Sequence, residues 1–165
     1  MKAWVLGGVL VLASGVTAHA QEPCSPGKSR QLVSSLTPVT GQSPMWVTTG
    51  AGPLVWKGPN DPLSLLWIRD VSVTGSALIN GQRRGTAPVK VRFSAPGSTI
   101  GVREERYKLD QIGIKPGKVT PQDLQKYSFH RTNVWFSEPG CYELTARVGR
   151  QQSLIVVKVD GAAGK

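Results

Sequence analysis

From residue 44 onward, short runs rich in Val, Ile, Leu, Trp and Thr alternate with Gly, Pro and Asn. This is the pattern of an all-β sandwich or barrel. The runs predict strands over 45–49, 53–57, 63–69, 71–79, 88–94, 98–103, 128–136, 141–148 and 153–159. Asn60-Asp61-Pro62 and Asn80-Gly81 read as turns, and 149–152 as a short hairpin connection. No amphipathic helix of ordinary length is predicted. Pro121 suits a first helical position, so 121–124 reads as the start of one helical turn.

Side chains alternate across a strand, so parity assigns the faces. In 141–148 the apolar set Tyr142, Leu144, Ala146 and Val148 points to the core, and Cys141, Glu143, Thr145 and Arg147 point away from it. In 88–94, Val89, Val91 and Phe93 alternate with Lys90, Arg92 and Ser94, which predicts a half-exposed strand with a basic outer face. Both faces of 153–159 are apolar apart from Lys158, the reading of a central strand. Residues 97–127 break the pattern. They are polar and charged, with a possible hairpin over 101–114, and read as a long excursion from the sandwich.

The N-terminal end is of another kind. Lys2, an apolar run over 3–13 and Ala18-His19-Ala20 make a secretory signal, with the mature chain expected from Gln21. The apolar run is too short for a membrane span. Cys24 follows Gln21-Glu22-Pro23, a poor context for lipid attachment. The expected organisation is a signal peptide over 1–20, an irregular lead-in over 21–43, and one sandwich domain over 44–160 with a polar insertion at 97–127. The chain is expected to be an exported monomer, periplasmic or secreted, without a transmembrane segment.

Charge adds a partner class. The full chain carries net +10, or +9 once Lys2 is removed, with the basic residues scattered. Such a balance favours anionic surfaces such as lipopolysaccharide, wall polymers or membranes. Nucleic acid fits the charge but not the compartment, and no aromatic-basic RNA-binding motif is present. Arg83 and Arg84, with Lys90 and Arg92, are the basic contact candidates, against a solvated loop for the arginine pair. Trp46 and Trp56, on either side of Gly50-Ala51-Gly52, are aromatic candidates for stacking on a ligand, against a place in the core.

Catalytic chemistry finds little support. The mature chain has one histidine, His130, read as a solvent-exposed strand residue, and two distant cysteines, Cys24 and Cys141. Zinc sites need three or four ligands, usually with close pairs. A Cys141–His130 nucleophilic pair is formally available, but an exported cysteine favours oxidation. An even pair of cysteines in an oxidising compartment reads most simply as one disulfide. By parity, any bridge from Cys141 lies outside the core and staples the lead-in to the outer side or edge of the sandwich. No carboxylate pair, nucleophile elbow, zinc-protease helix, phosphate loop or calcium loop occurs. No cofactor, metal or catalytic residue is predicted.

With the strands placed, the block VWFSEPGCYELTARVGRQQSLIVVKV resembles the closing motif of a family of exported bacterial proteins of unknown function. In that family an apolar pair and a Pro/Glu turn lead into Gly-Cys-Trp, Glu-hydrophobic-Thr and Arg-Val-Gly. LLWIRD and VSVTGSALINGQ resemble the family's upstream strands. The resemblance covers 44–94 and 128–159. This chain has Tyr142 in place of the family's Trp and a longer 97–127 segment. The resemblance implies an immunoglobulin-like β-sandwich and a Cys24–Cys141 disulfide, and it brings no activity. The expected function is a non-catalytic exported binding module, meeting anionic envelope material through a basic surface. One alternative is an inhibitor or accessory subunit that docks another protein through 97–127; another is an enzyme with an unrecognised site.

Overall fold

The computed structural model describes residues 24–162 except 51, 86, 98–101 and 110–112. The signal sequence over 1–20 and part of the 98–103 strand expectation lie outside the described residues. Among the described residues, ten strands and one short helix follow one another: β1 (Val39–Gln42), β2 (Met45–Thr48), β3 (Leu54–Trp56), β4 (Leu63–Asp70), β5 (Ala77–Arg83), β6 (Arg92–Ser94), β7 (Arg106–Leu109), α1 (Pro121–Lys126), β8 (Tyr127–Trp135), β9 (Gly140–Val148) and β10 (Gln151–Gly161). One sheet has the order β1-β2-β4-β8-β6 and the other β3-β10-β9-β5-β7. The β3–β10 pair is parallel and the other strand pairs are antiparallel.

This is an immunoglobulin-like sandwich, and its core follows from the alternation. Met45, Val47, Leu65, Trp67, Phe93 and Val134 of the first sheet meet Ile79, Tyr142, Leu144, Ala146, Ile155 and Val157 of the second. Trp67 is fully buried, and its Nε1–H donates to Thr132 Oγ1 at 3.0 Å, so its polar end is satisfied. Tyr142 stands at the start of β9 and donates its hydroxyl to the Glu138 carbonyl at 2.6 Å. That contact is the tyrosine corner of such sandwiches. Leu144, two residues on, fills the place where antibody domains carry an inter-sheet cysteine.

The disulfide lies elsewhere. Cys24 and Cys141 are bonded, with Cα atoms 5.5 Å apart, on the outer face of β9. From there the lead-in runs along β10, where the Gly27 N–H donates to the Val156 carbonyl at 3.3 Å. It then pairs Arg30 with Val39 and places Val33 in a second core on the outer face of the first sheet. Trp46, Ile68 and Phe129 form the floor of that core, and Val119 and Leu124 close it from the other side.

Several elements differ from expectation. The lead-in contains β1, because its order comes from distant partners and not from local pattern. Asn80-Gly81 is no turn. It lies inside β5, with β9 on one edge and Lys90 and β7 on the other. A Cβ on Gly81 would come within 2.6 Å of Leu144 Cδ2, so the glycine serves close packing. Residues 71–76 are a bend and not the first half of a strand. β10 is internal to its sheet, between β3 and β9, as expected, but only one of its faces is fully buried: on the other Leu154 is 47% exposed and the lead-in covers Val156 in part. The 97–127 segment is partly built in: β7 extends the second sheet, Ile114 bridges to Phe129, and α1 carries a capping box between Thr120 and Asp123.

Candidate functional site

The chain changes sheets between Arg83 and Ser94. The Arg83 N–H donates to the Val89 carbonyl at 2.8 Å and the Val91 N–H to the Gly81 carbonyl at 2.9 Å, which ties 89–91 to β5 of the second sheet. One residue later β6 pairs with β8 of the first sheet, setting Arg92 opposite Trp135 and Ser94 opposite Asn133. Such crossings make the corners of sandwiches. A third segment joins the corner: Phe93 and Glu104 exchange two backbone hydrogen bonds of 2.8 Å each.

The resulting register sorts the side chains. Val91 and Phe93 enter the core. Arg92, Ser94 and Trp135 share the outer face of the first sheet, joined by Arg103, on the neighbouring segment. They lie beside an open groove of about 520 Å³ whose walls include Lys90, Arg92, Arg103, Glu105 and Trp135, with Pro59 and Pro88 among its apolar walls. Lys90 and Arg92 are exposed. Neither forms an ion pair or side-chain hydrogen bond among the described residues. Arg103 lies over the Trp135 ring, its guanidinium carbon 3.6 Å from the ring centroid. Trp135 is only 5% exposed, and its Nε1–H donates to Ser94 Oγ at 3.2 Å. The indole is therefore a fixed support for the arginine, held by cation–π attraction, and not an open platform.

The other candidates fall outside this groove. Arg83 pairs with Glu138 across the loop before β9. Arg84 stands 3.9 Å from Glu143, and its backbone N–H donates to the Cys141 carbonyl. Both arginines are thus engaged with the sandwich itself. Trp46 is corrected to a core residue: it is 4% exposed, edge-on to Tyr127 at 5.8 Å and capped by Arg30 at 5.1 Å. Trp56 is half-buried against the main core, with its Nε1–H donating to the Phe136 carbonyl at 3.0 Å. His130 is also corrected. It is 4% exposed, and its Nε2 lies 3.0 Å from Ser128 Oγ. The sulfur of Cys141 is held in the disulfide.

Sequence reading missed Arg103. Its role depends on a contact with Trp135, 32 positions away in the chain, and on the Phe93–Glu104 bridge; neither leaves a trace in local spacing. Among the described residues, no group of three or more His, Cys, Asp and Glu side chains assembles to hold a metal ion, and no helix is long and apolar enough to cross a membrane. Asp70 has a lowered carboxyl pKa. The Ser72 hydroxyl is the largest cause and holds the carboxyl below its ordinary 3.8; desolvation opposes it, and the Ser72 backbone N–H and the Ser43 hydroxyl lower it further. It is remote from the groove.

No protein-family model matches the chain, and no curated protein is similar to it. Among solved structures the chain is similar to the X-ray crystal structure of a "Putative Lipoprotein from Bacillus anthracis", at 12% identity and a TM-score of 0.50, over 83% of this chain and 86% of that one. At that identity the likeness concerns the fold.

Proposed function

We propose that this chain is a non-catalytic, exported binding module that contacts anionic envelope material, such as lipopolysaccharide or a wall polymer, through its basic surface. One observation carries the reading: Lys90 and Arg92 line a single groove with Arg103 and have no carboxylate partner among the described residues. Cations without internal partners attract an anion at lower desolvation cost than cations already paired. The Cys24–Cys141 disulfide fits an oxidising compartment, as does the secretory pattern over 1–20. The Gly140-Cys141 block supports membership in the exported family of unknown function named above.

The test is retention on immobilised lipopolysaccharide and on purified wall polymer as salt is raised. The folded protein is expected to be retained at low salt and released by about 0.5 M, because exposed charges are screened within a few ångströms there. Lys90→Ala with Arg92→Ala should abolish retention, and Arg83→Ala should leave most of it. Equal retention of all three proteins would overturn the reading.

A further inference from the structure

The groove contains a more specific device than loose positive charge. Resting on the anion-binding reading above, we propose that it is a phosphate monoester site, in which Arg103 selects the ligand by geometry and Lys90 and Arg92 supply charge.

The argument begins with what holds Arg103. Its guanidinium is stacked on Trp135 at 3.6 Å. The indole beneath is itself fixed, by burial and by its bond to Ser94. The backbone on the C-terminal side of Arg103 is locked by the two Glu104–Phe93 hydrogen bonds. Stacking uses the face of a guanidinium and leaves the N–H donors at its edge. No acceptor takes those donors among the described residues. A planar fork, already oriented and unspent, is matched to two oxygens of one anion. Ordering it before the ligand arrives removes an entropic cost that a free surface arginine would carry.

Charge narrows the class. Lys90, Arg92 and Arg103 face the groove together with a single carboxylate, Glu105, which reaches no ion-pair distance to any of them. The wall charge is therefore +2. A phosphate monoester carries about −1.5 to −2 near neutral pH, with its second ionisation near 6. A carboxylate or a sulfate ester carries a single charge and leaves the wall half neutralised. Lysine also serves phosphate well as a point charge beside an arginine fork.

Three ligands with one sugar skeleton test this by calorimetry on the folded, disulfide-bonded protein: glucose 6-phosphate, glucose 6-sulfate and glucuronate. The phosphate is expected to bind at least about tenfold more tightly than the other two, a difference of one charge-assisted hydrogen bond. Its affinity should fall as pH drops from 7 to 5, when the monoester loses its second charge, while sulfate binding holds steady. Arg103→Lys keeps the charge and loses the fork, and should weaken phosphate binding about tenfold or more; Lys90→Arg should change it less than about threefold. Thermal melts confirm that each variant is folded. Vesicles of phosphatidylcholine with and without phosphatidic acid separate the sources. Vesicle retention without binding of the soluble ester assigns the phosphate to a lipid headgroup, and binding of the soluble ester assigns it to a sugar or polymer. If Arg103→Lys binds phosphate as the natural protein does, or if sulfate and glucuronate bind equally well, the phosphate site is overturned while the anionic reading stands. If the natural protein binds none of these anions and neither polymer, both fail.

Discussion

Ser153 joins the two sheets with one hydroxyl. It lies in β10, fully buried, and donates to the Gln42 carbonyl at 2.6 Å while accepting the Met45 N–H at 3.0 Å. Both partners belong to the β1–β2 hairpin of the opposite sheet. Ser153→Ala removes both bonds but changes the two backbone groups unequally. Gln42 is exposed, so its carbonyl can turn to water. Met45 is fully buried, so its N–H loses this acceptor where water cannot replace it. An orphaned buried donor costs about 1–3 kcal/mol, and a bond replaced by water costs little more. The expected loss is therefore about 2 kcal/mol. Urea unfolding followed by tryptophan fluorescence reads it as a lowered midpoint at unchanged slope. Amide exchange gives the second readout, since protection of the Met45 amide should fall more than that of its neighbours in β2. A loss below about 0.5 kcal/mol with Met45 protection unchanged would refute the assignment of the hydroxyl as the acceptor that holds that N–H.

Other predictions follow from the same geometry. Tyr142→Phe removes the corner bond to Glu138 and should cost about 1–2 kcal/mol in the same assay, with binding to anionic ligands intact. Gly81→Ala forces a methyl against Leu144 and Val91 and should destabilise by about 1–3 kcal/mol, whereas Gly117→Ala, with open space around it, should be tolerated. Replacing Cys24 and Cys141 together by alanine opens a loop of sequence separation 117; chain entropy puts the loss at up to about 5 kcal/mol, and equal urea midpoints for the two proteins would exclude it. Asp70 has a lowered folded pKa, so its contribution is present above about pH 4 and is lost as pH falls through the folded value. The natural protein should lose stability between pH 5 and about 2.5 by more than Asp70→Asn does, as read by urea midpoints across that range.

The strands that were legible in the sequence are those whose alternation is strong and whose partners impose no surprise. β2, β4 and β9 fall where the pattern placed them, and the parity of Cys141 correctly put its bridge outside the core. The failures share a physical cause. Asn80-Gly81 carries a local turn preference, but pairing on both edges of β5 overrides it. β1 sits in a stretch of Pro, Ser, Gly and Thr and is ordered by Arg30, by the disulfide and by Val33 in the second core. Trp46 is buried because the lead-in and the 97–127 segment cover the outer face of its sheet, and His130 because it stands opposite Trp67 on the face turned into the sandwich. Of the groove, Lys90 and Arg92 were legible as the basic face of an alternating strand. Arg103 was not, because a stacking partner 32 positions away is a property of the folded chain alone.

The position of the disulfide also decides how the molecule carries a pulling force. Tension applied at Cys24 and at Gly161 passes through the sulfur bridge into Cys141 and along β9 and β10. The 25–140 stretch, with the groove and both outer layers, is out of the line of load. Only the last hairpin can be drawn out, to about 70 Å at full extension. Without the bridge, the same two ends would separate by roughly 450–500 Å. Because β9 and β10 also supply Tyr142, Leu144, Ile155 and Val157 to the core, yielding there would open the sandwich, but the bridge would still limit the separation of the two ends to the length of that one hairpin.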